Sequence, residues 1–173
     1  MVQNGGRIGS RNTFRLIALG DIPARSGELP ERTFIIPHLQ LSQGGALELA
    51  DRLVEAVDQL DSVSIGIAPL MRDGGMLYNG RSWELAPGAG GGSFGHMHHS
   101  SNNSMHMELP RTISRGAMRD GGWGEIHPSS GVNGLGTDDT DYVIIWGARD
   151  EEELEVIWLF VQAAYACARG VLP

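Results

Sequence analysis

The stretch SFGHMHHSSNNSMHMEL at positions 93–109 decides the fold, because histidines and methionines alternate on both sides of a polar turn. Successive side chains of a β-strand point to opposite faces, so the alternation sorts this stretch into two faces. We expect Phe94, His96 and His98 to share one face of the first strand, and His106 and Glu108 the same face of the second. The opposite face carries apolar residues that should pack under helices: Met97, Met105, Met107 and Leu109.

The polar run Ser100–Ser104 is the predicted turn, since its side chains readily bond to the backbone. With Asn102 at the centre, His98 lies opposite His106 and His96 lies opposite Glu108. Directly opposed Cβ atoms are about 4.5–5.5 Å apart in an antiparallel pair. The hairpin is therefore expected to hold three imidazoles and one carboxylate in a compact cluster.

The rest of the chain supplies helices and further strands. Helical periodicity predicts helices at about 46–60 and 150–168 and a shorter one at 110–119. Strands are predicted at 62–68, 82–86 and 142–146, the last one central in the sheet, and 124–140 is predicted to be mostly loop. The order predicts an α+β protein with a mostly antiparallel sheet and helices packed on one face. Residues 1–12 are expected to be disordered and 13–173 to form a single domain.

Composition excludes several classes of chemistry. The net charge is −8, which disfavours nucleic acid as a partner. All 13 basic residues are arginine, so Schiff-base lysines and phosphate-binding P-loop lysines are excluded. The single Cys167 excludes internal disulfides and lies in an apolar helical stretch, where a buried inert thiol is expected.

No apolar run has membrane-spanning length and the start lacks a secretory pattern, so we expect a cytoplasmic protein without a membrane partner. The apolar body of the last helix is either buried or the contact of a homodimer.

A second constellation follows in the run GGWGEIHP at positions 121–128. Trp123, Glu125 and His127 alternate with glycine and isoleucine, so all three are expected to point the same way on an extended segment. The alternative for Trp123 is a side chain that anchors a loop onto the core. His127 precedes a proline, which holds it extended, so it can face the hairpin histidines across a cleft. His38 stands alone in the sequence and is expected to be a surface or capped histidine.

These motifs resemble the luciferase-domain family of small proteins. The matching segments lie between about Ala46 and Gly170 and are His96–His98, Ser104–Leu109, Gly122–Pro128 and Tyr142–Val156. The resemblance implies that the histidine hairpin and the Trp-Gly-Glu-x-His-Pro segment belong together, and it does not imply light emission or any other activity.

Three interpretations of the cluster remain open. The favoured one is a cofactor-independent acid/base enzyme, such as a lyase, cyclase or isomerase. Imidazole titrates near neutrality and can therefore transfer protons at working pH. The candidate catalytic residues are His96, His98, His106, Glu108 and His127. Glu108 would orient an imidazole. The second is a centre for one divalent metal ion, held by His96, His98, His106 and Glu108. The third is a face without catalysis, either exposed and without a role or part of a small-molecule binding protein.

The favoured substrate is a small, partly apolar organic molecule with a carbonyl group, since motifs for nucleotides, flavins, haem and phosphate are missing from the sequence. Dehydration, isomerisation, Michael-type addition or cyclisation would then proceed without a cofactor. An arginine would steady an enolate, and aromatic walls and a carboxylate would line the pocket: Arg81, Trp83, Phe94, Trp123 and Glu125. The lysine-free, glycine-rich composition suggests a bacterial protein of secondary metabolism.

Overall fold

The computed structural model describes residues 22–34, 38–67, 76–80, 93–99, 101–132 and 135–171, with the backbone alone for 76–80. The disordered segment expected at 1–12 lies outside the described residues. Among the described residues, no helix combines the length and the apolar character that a membrane crossing requires.

The first two helices are short and pack through one face. Helix α1, Leu47–Asp58, buries apolar side chains at spacings of three and four: Leu49, Ala50, Leu53 and Val57. Helix α2, Arg111–Ser114, follows a strand directly and continues into a π-helical segment, Arg115–Asp120. Both confirm the predicted helical regions, with ends that differ by one to a few residues.

Helix α3, Glu151–Ala168, begins with a side-chain cap. The Asp150 side chain accepts a hydrogen bond from the Glu153 backbone N–H at 2.9 Å, which satisfies a donor that the helix cannot pair. Its apolar body is buried in this chain's own core, which accounts for its composition without a second subunit. The homodimer through this helix therefore stays a prediction. Cys167 is buried, and burial raises its pKa to about 11, so the thiol stays protonated as expected.

Six strands of the described residues form one sheet: β1 (Val63–Ile67), β2 (Met76–Gly80), β3 (Ser93–Met97), β4 (Met105–Pro110), β5 (Gly124–Ile126) and β6 (Thr140–Ile145). The strand order is β1-β2-β3-β4-β6-β5, and every neighbouring pair is antiparallel. The α+β class with a mostly antiparallel sheet is confirmed.

The sheet also departs from the sequence-based prediction in its smaller strands. Strand β2 was not predicted, and the strand predicted at 82–86 lies outside the described residues. Strand β5 lies within the stretch 124–140 that was predicted to be mostly loop. A strand of three residues is too short to be recognised from alternation alone. Strand β6 is interior, between β4 and β5, but it is one position from the edge of the sheet and not at its centre.

The hairpin of β3 and β4 keeps its predicted faces but shifts its register by two residues. His96, not His98, lies opposite His106, and Glu108 lies opposite Tyr142 of β6. The turn is centred near Ser101 because Asn103 adopts a left-handed conformation and the His98 backbone N–H bonds to the Ser104 carbonyl at 2.8 Å. A shift of two residues preserves side-chain parity, so the methionine face still packs under the helices.

Phe94 is the exception to this alternation. Tyr78 of β2 lies opposite Gly95 whereas Asn79 lies opposite Ser93, so Phe94 is an extra residue in β3, a β-bulge. The bulge turns its side chain to the helix-covered face, where its ring centroid lies 5.9 Å from that of Tyr165 in α3. The expectation that Phe94 shares a face with His96 and His98 is therefore wrong.

Candidate functional site

A row of opposed residues crosses the sheet on the face away from α1 and α3. His96 of β3 lies opposite His106 of β4, which lies opposite Ile144 of β6, which in turn lies opposite Glu125 of β5. Directly opposed residues of neighbouring strands point to the same face of the sheet. The polar residues of β3 and β4 therefore lie in line with one residue of β6 and one of β5. It forms the floor of the candidate site.

Five histidines meet above this floor. Ring centroids are separated by 5.4 Å for His96 and His98, 5.0 Å for His96 and His106, and 5.2 Å for His98 and His106. On the other side of His106, His127 lies at 5.2 Å and His38 at 5.9 Å, and these two are 5.0 Å from each other. His106 is therefore the shared member of two three-histidine groups.

His106 is almost completely buried and has a defined tautomer. Its Nε2 lies 2.9 Å from the backbone carbonyl oxygen of His38, and a carbonyl only accepts, so Nε2 carries the proton. The neutral ring then holds its lone pair on Nδ1, a buried atom with no hydrogen-bond partner among the described residues. Burial, followed by the neighbouring His96 and His98, lowers the pKa of His106 well below its usual value, so the ring is neutral at pH 7.

His127 lies where the sequence predicted, facing the hairpin histidines. Its backbone N–H donates to the Tyr142 carbonyl at 2.8 Å, which extends the pairing of β5 beyond its last residue. Its Nδ1 accepts a hydrogen bond from the Ser129 backbone N–H at 3.0 Å, so the proton of the neutral ring lies on Nε2. Burial and the neighbouring His38 lower its pKa to about 4.

The glycine before Glu125 in this segment is required by the sheet. A Cβ atom on Gly124 would lie 1.9 Å from the Ile144 carbonyl oxygen and 2.8 Å from Met118 Sδ. Only glycine allows β5 to approach β6 this closely, and that approach places Glu125 at the end of the histidine row.

His38 was expected to be a surface or capped histidine, and its placement at the surface is wrong. Its side chain is buried, and its Nε2 lies 3.8 Å from Glu125 Oε2. Burial lowers its pKa, although the Glu125 carboxylate opposes the shift. The contacts that bring His38 to the cluster are made with strands far along the chain, such as the bond from His106. No local pattern around a single histidine in the sequence carries that information.

Glu108 was expected to orient an imidazole and to complete a metal site, but the structure places it elsewhere. Its carboxylate accepts hydrogen bonds from the Gly136 backbone N–H at 3.2 Å and the Thr140 hydroxyl at 3.3 Å. Burial raises its pKa, and these two bonds counteract the rise. The register shift explains the difference, because His96 lies opposite His106 and not opposite Glu108. Glu108 belongs to neither histidine group.

The predicted pocket walls also lie away from the cluster. Trp123 is 2 % exposed, donates from its indole to the Pro23 carbonyl at 2.7 Å and packs against Phe160 of α3. It precedes the first residue of β5, so strand alternation does not set its direction, and the prediction that it points with Glu125 and His127 is wrong. Phe94 is likewise in the core. Arg81 and Trp83 lie outside the described residues.

Among the predicted binding residues that the structure describes, Glu125 is the one that lies beside the histidines. It accepts a hydrogen bond from Arg32 and remains partly exposed. Tyr142, which the sequence indicated only as a strand residue, is also part of the site. Its ring stacks on that of His106, with centroids 5.5 Å apart. Burial, with the Glu108 charge as a second cause, raises the pKa of the Tyr142 hydroxyl, so it stays protonated.

Polar bonds hold the described parts of the segment 22–45, residues 22–34 and 38–45, over the histidine face. The Gln40 side chain accepts from the Gly147 backbone N–H at 2.9 Å and donates to the carbonyls of Ser42 and Gln43. Arg25 pairs with Glu153 of α3 at 3.2 Å, and both side chains are buried. A Cβ atom on Gly45 would lie 2.8 Å from the Gly147 carbonyl carbon, so this approach also requires glycine. The segment is thereby fixed where it contributes His38.

The arrangement has a definite chemical capacity. Three of the five imidazoles, His38, His106 and His127, have pKa values lowered by burial and are neutral at pH 7. A neutral imidazole has one N–H donor and one lone pair, so the cluster can pass protons or offer nitrogen ligands. His96 is the half-buried member that a bound molecule can reach, whereas His98 and His106 are buried behind it.

Residues 91–164 match the family model of the luciferase domain. The resemblance identified from the sequence motifs is therefore confirmed over this part of the chain, which contains the hairpin, the Gly-Trp-Gly-Glu segment and most of α3. No curated protein and no solved structure matched the chain. Four of the five clustered histidines lie within the residues that match this family model, and His38 lies before them.

Proposed function

We propose that this protein is an enzyme that transfers protons in a small organic substrate at the cluster of five histidines. One observation carries the proposal: His106 is packed against four other imidazoles at centroid distances of 5.0–5.9 Å, on one face of the sheet. Burying so many polar rings costs free energy, and such costs are typical of functional sites. A purely structural role would be met more cheaply by apolar residues.

The geometry changes the roles that the sequence suggested. His98 and His106 were among the residues expected to transfer protons, but they are only 2 % and 3 % exposed, so a substrate cannot contact them without a rearrangement. In the proposal His96 contacts the substrate, because its side chain is half-buried and therefore partly accessible. The neutral rings behind it, His98 and His106, accept or return the proton.

The proposed substrate is a carbonyl compound, and the reaction is a dehydration, isomerisation, Michael-type addition or cyclisation. Proton transfer next to a carbonyl is chemistry that imidazoles can supply at neutral pH. The Arg32–Glu125 pair at the other end of the row would bind a polar group of the substrate. A cytoplasmic enzyme of bacterial secondary metabolism remains our proposal for its setting, supported by a composition with 25 glycines and no lysine.

Solvent-deuterium exchange tests the proposal without knowledge of the natural substrate. Carbonyl compounds that perturb the imidazole NMR signals of the full chain are first selected from a panel as binders. Each binder is then incubated with the protein in D₂O, and deuterium at the carbon next to the carbonyl is measured. We expect at least one binder to exchange at least tenfold faster than without protein, and the His96→Ala variant to lose this acceleration.

His99→Ala is the matched control, since His99 neighbours the cluster in sequence but bonds to Asp51 of α1 at 2.7 Å. It should exchange at the wild-type rate. If binders of the wild-type protein show no accelerated exchange, the protein is a non-catalytic small-molecule binding protein and the proposal fails.

A further inference from the structure

The two three-histidine groups share His106 and have the spacing of metal ligands. In each group, one candidate ligand atom per ring lies within 4.8 Å of the others: His96, His98 and His106 in the first, and His38, His106 and His127 in the second. We propose that the first group, His96, His98 and His106, binds one divalent transition-metal ion such as Zn²⁺. The binding of the ion does not depend on the enzymatic activity proposed above.

The hydrogen bond of His106 is the first argument. Metal-bound histidines almost always donate their other ring N–H to a carboxylate, carbonyl or water, and this bond fixes the tautomer and the ring orientation. His106 makes such a bond from Nε2 to the His38 carbonyl oxygen. Its Nδ1 is left with a buried lone pair that no described residue satisfies, and a metal ion would satisfy it.

The hydrogen bond of His127 decides between the two groups. Its Nδ1 accepts the Ser129 N–H, so the neutral ring carries its proton on Nε2. To bind an ion through Nε2, His127 would have to move this proton to Nδ1 and break the bond to Ser129. The second group therefore lacks a third ligand in the observed arrangement. His38 and His127 lie beside the ion and not in its coordination shell.

The ligand set indicates the class of ion. Three imidazole nitrogens suit zinc and other late first-row metals, whereas Ca²⁺ and Mg²⁺ prefer oxygen ligands. Three histidines also leave a tetrahedral ion one open position for water, as in catalytic zinc sites. At metal–nitrogen distances of about 2.1 Å the ligand atoms of a tetrahedral site would lie about 3.4 Å apart, within the 4.8 Å limit that the three candidate atoms already satisfy. In the proton-transfer reaction a water at the open position would then be the acid/base group.

Metal titration of the full-length protein tests the inference. The protein is prepared without a histidine tag and stripped with a chelator, then titrated with Zn²⁺ by calorimetry and with Co²⁺ by visible absorbance. We expect one ion per chain, a dissociation constant of about 1 μM or tighter, and the absorbance of tetrahedral Co²⁺ with nitrogen ligands. Folded wild-type protein that shows no saturable uptake of either ion would overturn the inference.

Four single variants identify the ligands. His96→Ala and His106→Ala should weaken Zn²⁺ binding at least a hundredfold, whereas His99→Ala and His127→Ala should bind as the wild type does. Because His106 is buried, the decision rests on the half-buried His96, with circular dichroism to show that each variant is folded. If His127→Ala loses the ion while His96→Ala keeps it, the second group is the site and the proposal is wrong.

The outcomes separate this inference from the proposed function. Metal uptake without accelerated deuterium exchange refutes only the proposed function. Exchange that persists in protein without metal uptake refutes only the metal site.

Discussion

The two faces of the β3–β4 hairpin are both largely shielded from water, although His96 is only half-buried, and they differ in what shields them. The face toward the helices carries methionines that are each 1 % exposed and packed against α1 and α3: Met97, Met105 and Met107. The opposite face carries His96 and His106 and is closed by the segment that contains His38. The same two strands therefore separate an apolar core from a polar one.

The difference shows how stability and chemistry are divided within one sheet. The methionine face is closed by apolar contacts, which are non-directional and tolerate changes of shape. The histidine face is closed by directional bonds, such as those of Gln40 and Arg25, which fix the cover in one position. We infer that the first face supplies most of the folding free energy and that the second consumes part of it. The four predictions below test this division, and the three substitutions are taken from the largest expected effect to the smallest.

Removing a methionine should destabilise the protein most. Met107→Ala leaves a cavity in the core, and such truncations cost about 2–5 kcal/mol in the free energy of unfolding. Urea unfolding followed by circular dichroism measures the loss. Met107→Leu conserves volume and is the control, with an expected cost below about 1.5 kcal/mol. A loss below 1 kcal/mol for Met107→Ala would show that the methionine face does not carry the stability.

Loosening the cover of the histidine face should have the next largest effect. Glu153 accepts hydrogen bonds from Arg25 and Arg149. Glu153→Gln removes the charge from these bonds and should cost about 1.5–3 kcal/mol at pH 7. Glu152→Gln, an exposed neighbour on the same helix, is the control and should change stability by no more than about 0.5 kcal/mol.

The same variant predicts a pH dependence. Burial raises the pKa of Glu153, but the hydrogen bonds from Arg149 and the charge of Arg25 outweigh it, so the pKa lies below its usual 4.5. Because the folded state binds this proton less tightly than the unfolded state, the stabilisation is present above about pH 4.5 and is lost as the pH falls further. The difference between wild type and Glu153→Gln should shrink over that range. A constant difference would contradict the assigned charge pairing.

Replacing His96, the half-buried histidine of the cluster, should change stability least. His96 is half-buried, so His96→Ala should alter the free energy of unfolding by about 1 kcal/mol or less. The same change should abolish both metal binding and proton transfer. Thermal unfolding with and without Zn²⁺ measures both effects, because an ion that binds only the folded state raises the melting temperature. A large destabilisation without Zn²⁺ would mean that His96 is a packing residue.

The sequence predicted the two faces because side-chain parity along a strand is a local property. The predicted faces are correct although the predicted register is wrong, because the observed register differs by two residues and parity repeats every two residues. The same rule failed at Phe94, where a bulge inserts one residue, and at Trp123, which lies just outside its strand. His38 could not be found, because its place depends on bonds to residues that follow it by more than sixty positions.

The cover segment has a consequence for how the chain is made. Ribosomes release the amino terminus first, so residues 22–45 emerge long before the strands they contact. Gln40 bonds to Gly147 and Arg25 bonds to Glu153, and each partner follows by more than 100 positions. The segment that carries His38 therefore becomes fully anchored only after the first turn of α3 has been translated. A nascent chain that stops before α3 would carry all five imidazoles but would lack Glu153, the partner of Arg25 in the segment that seats His38.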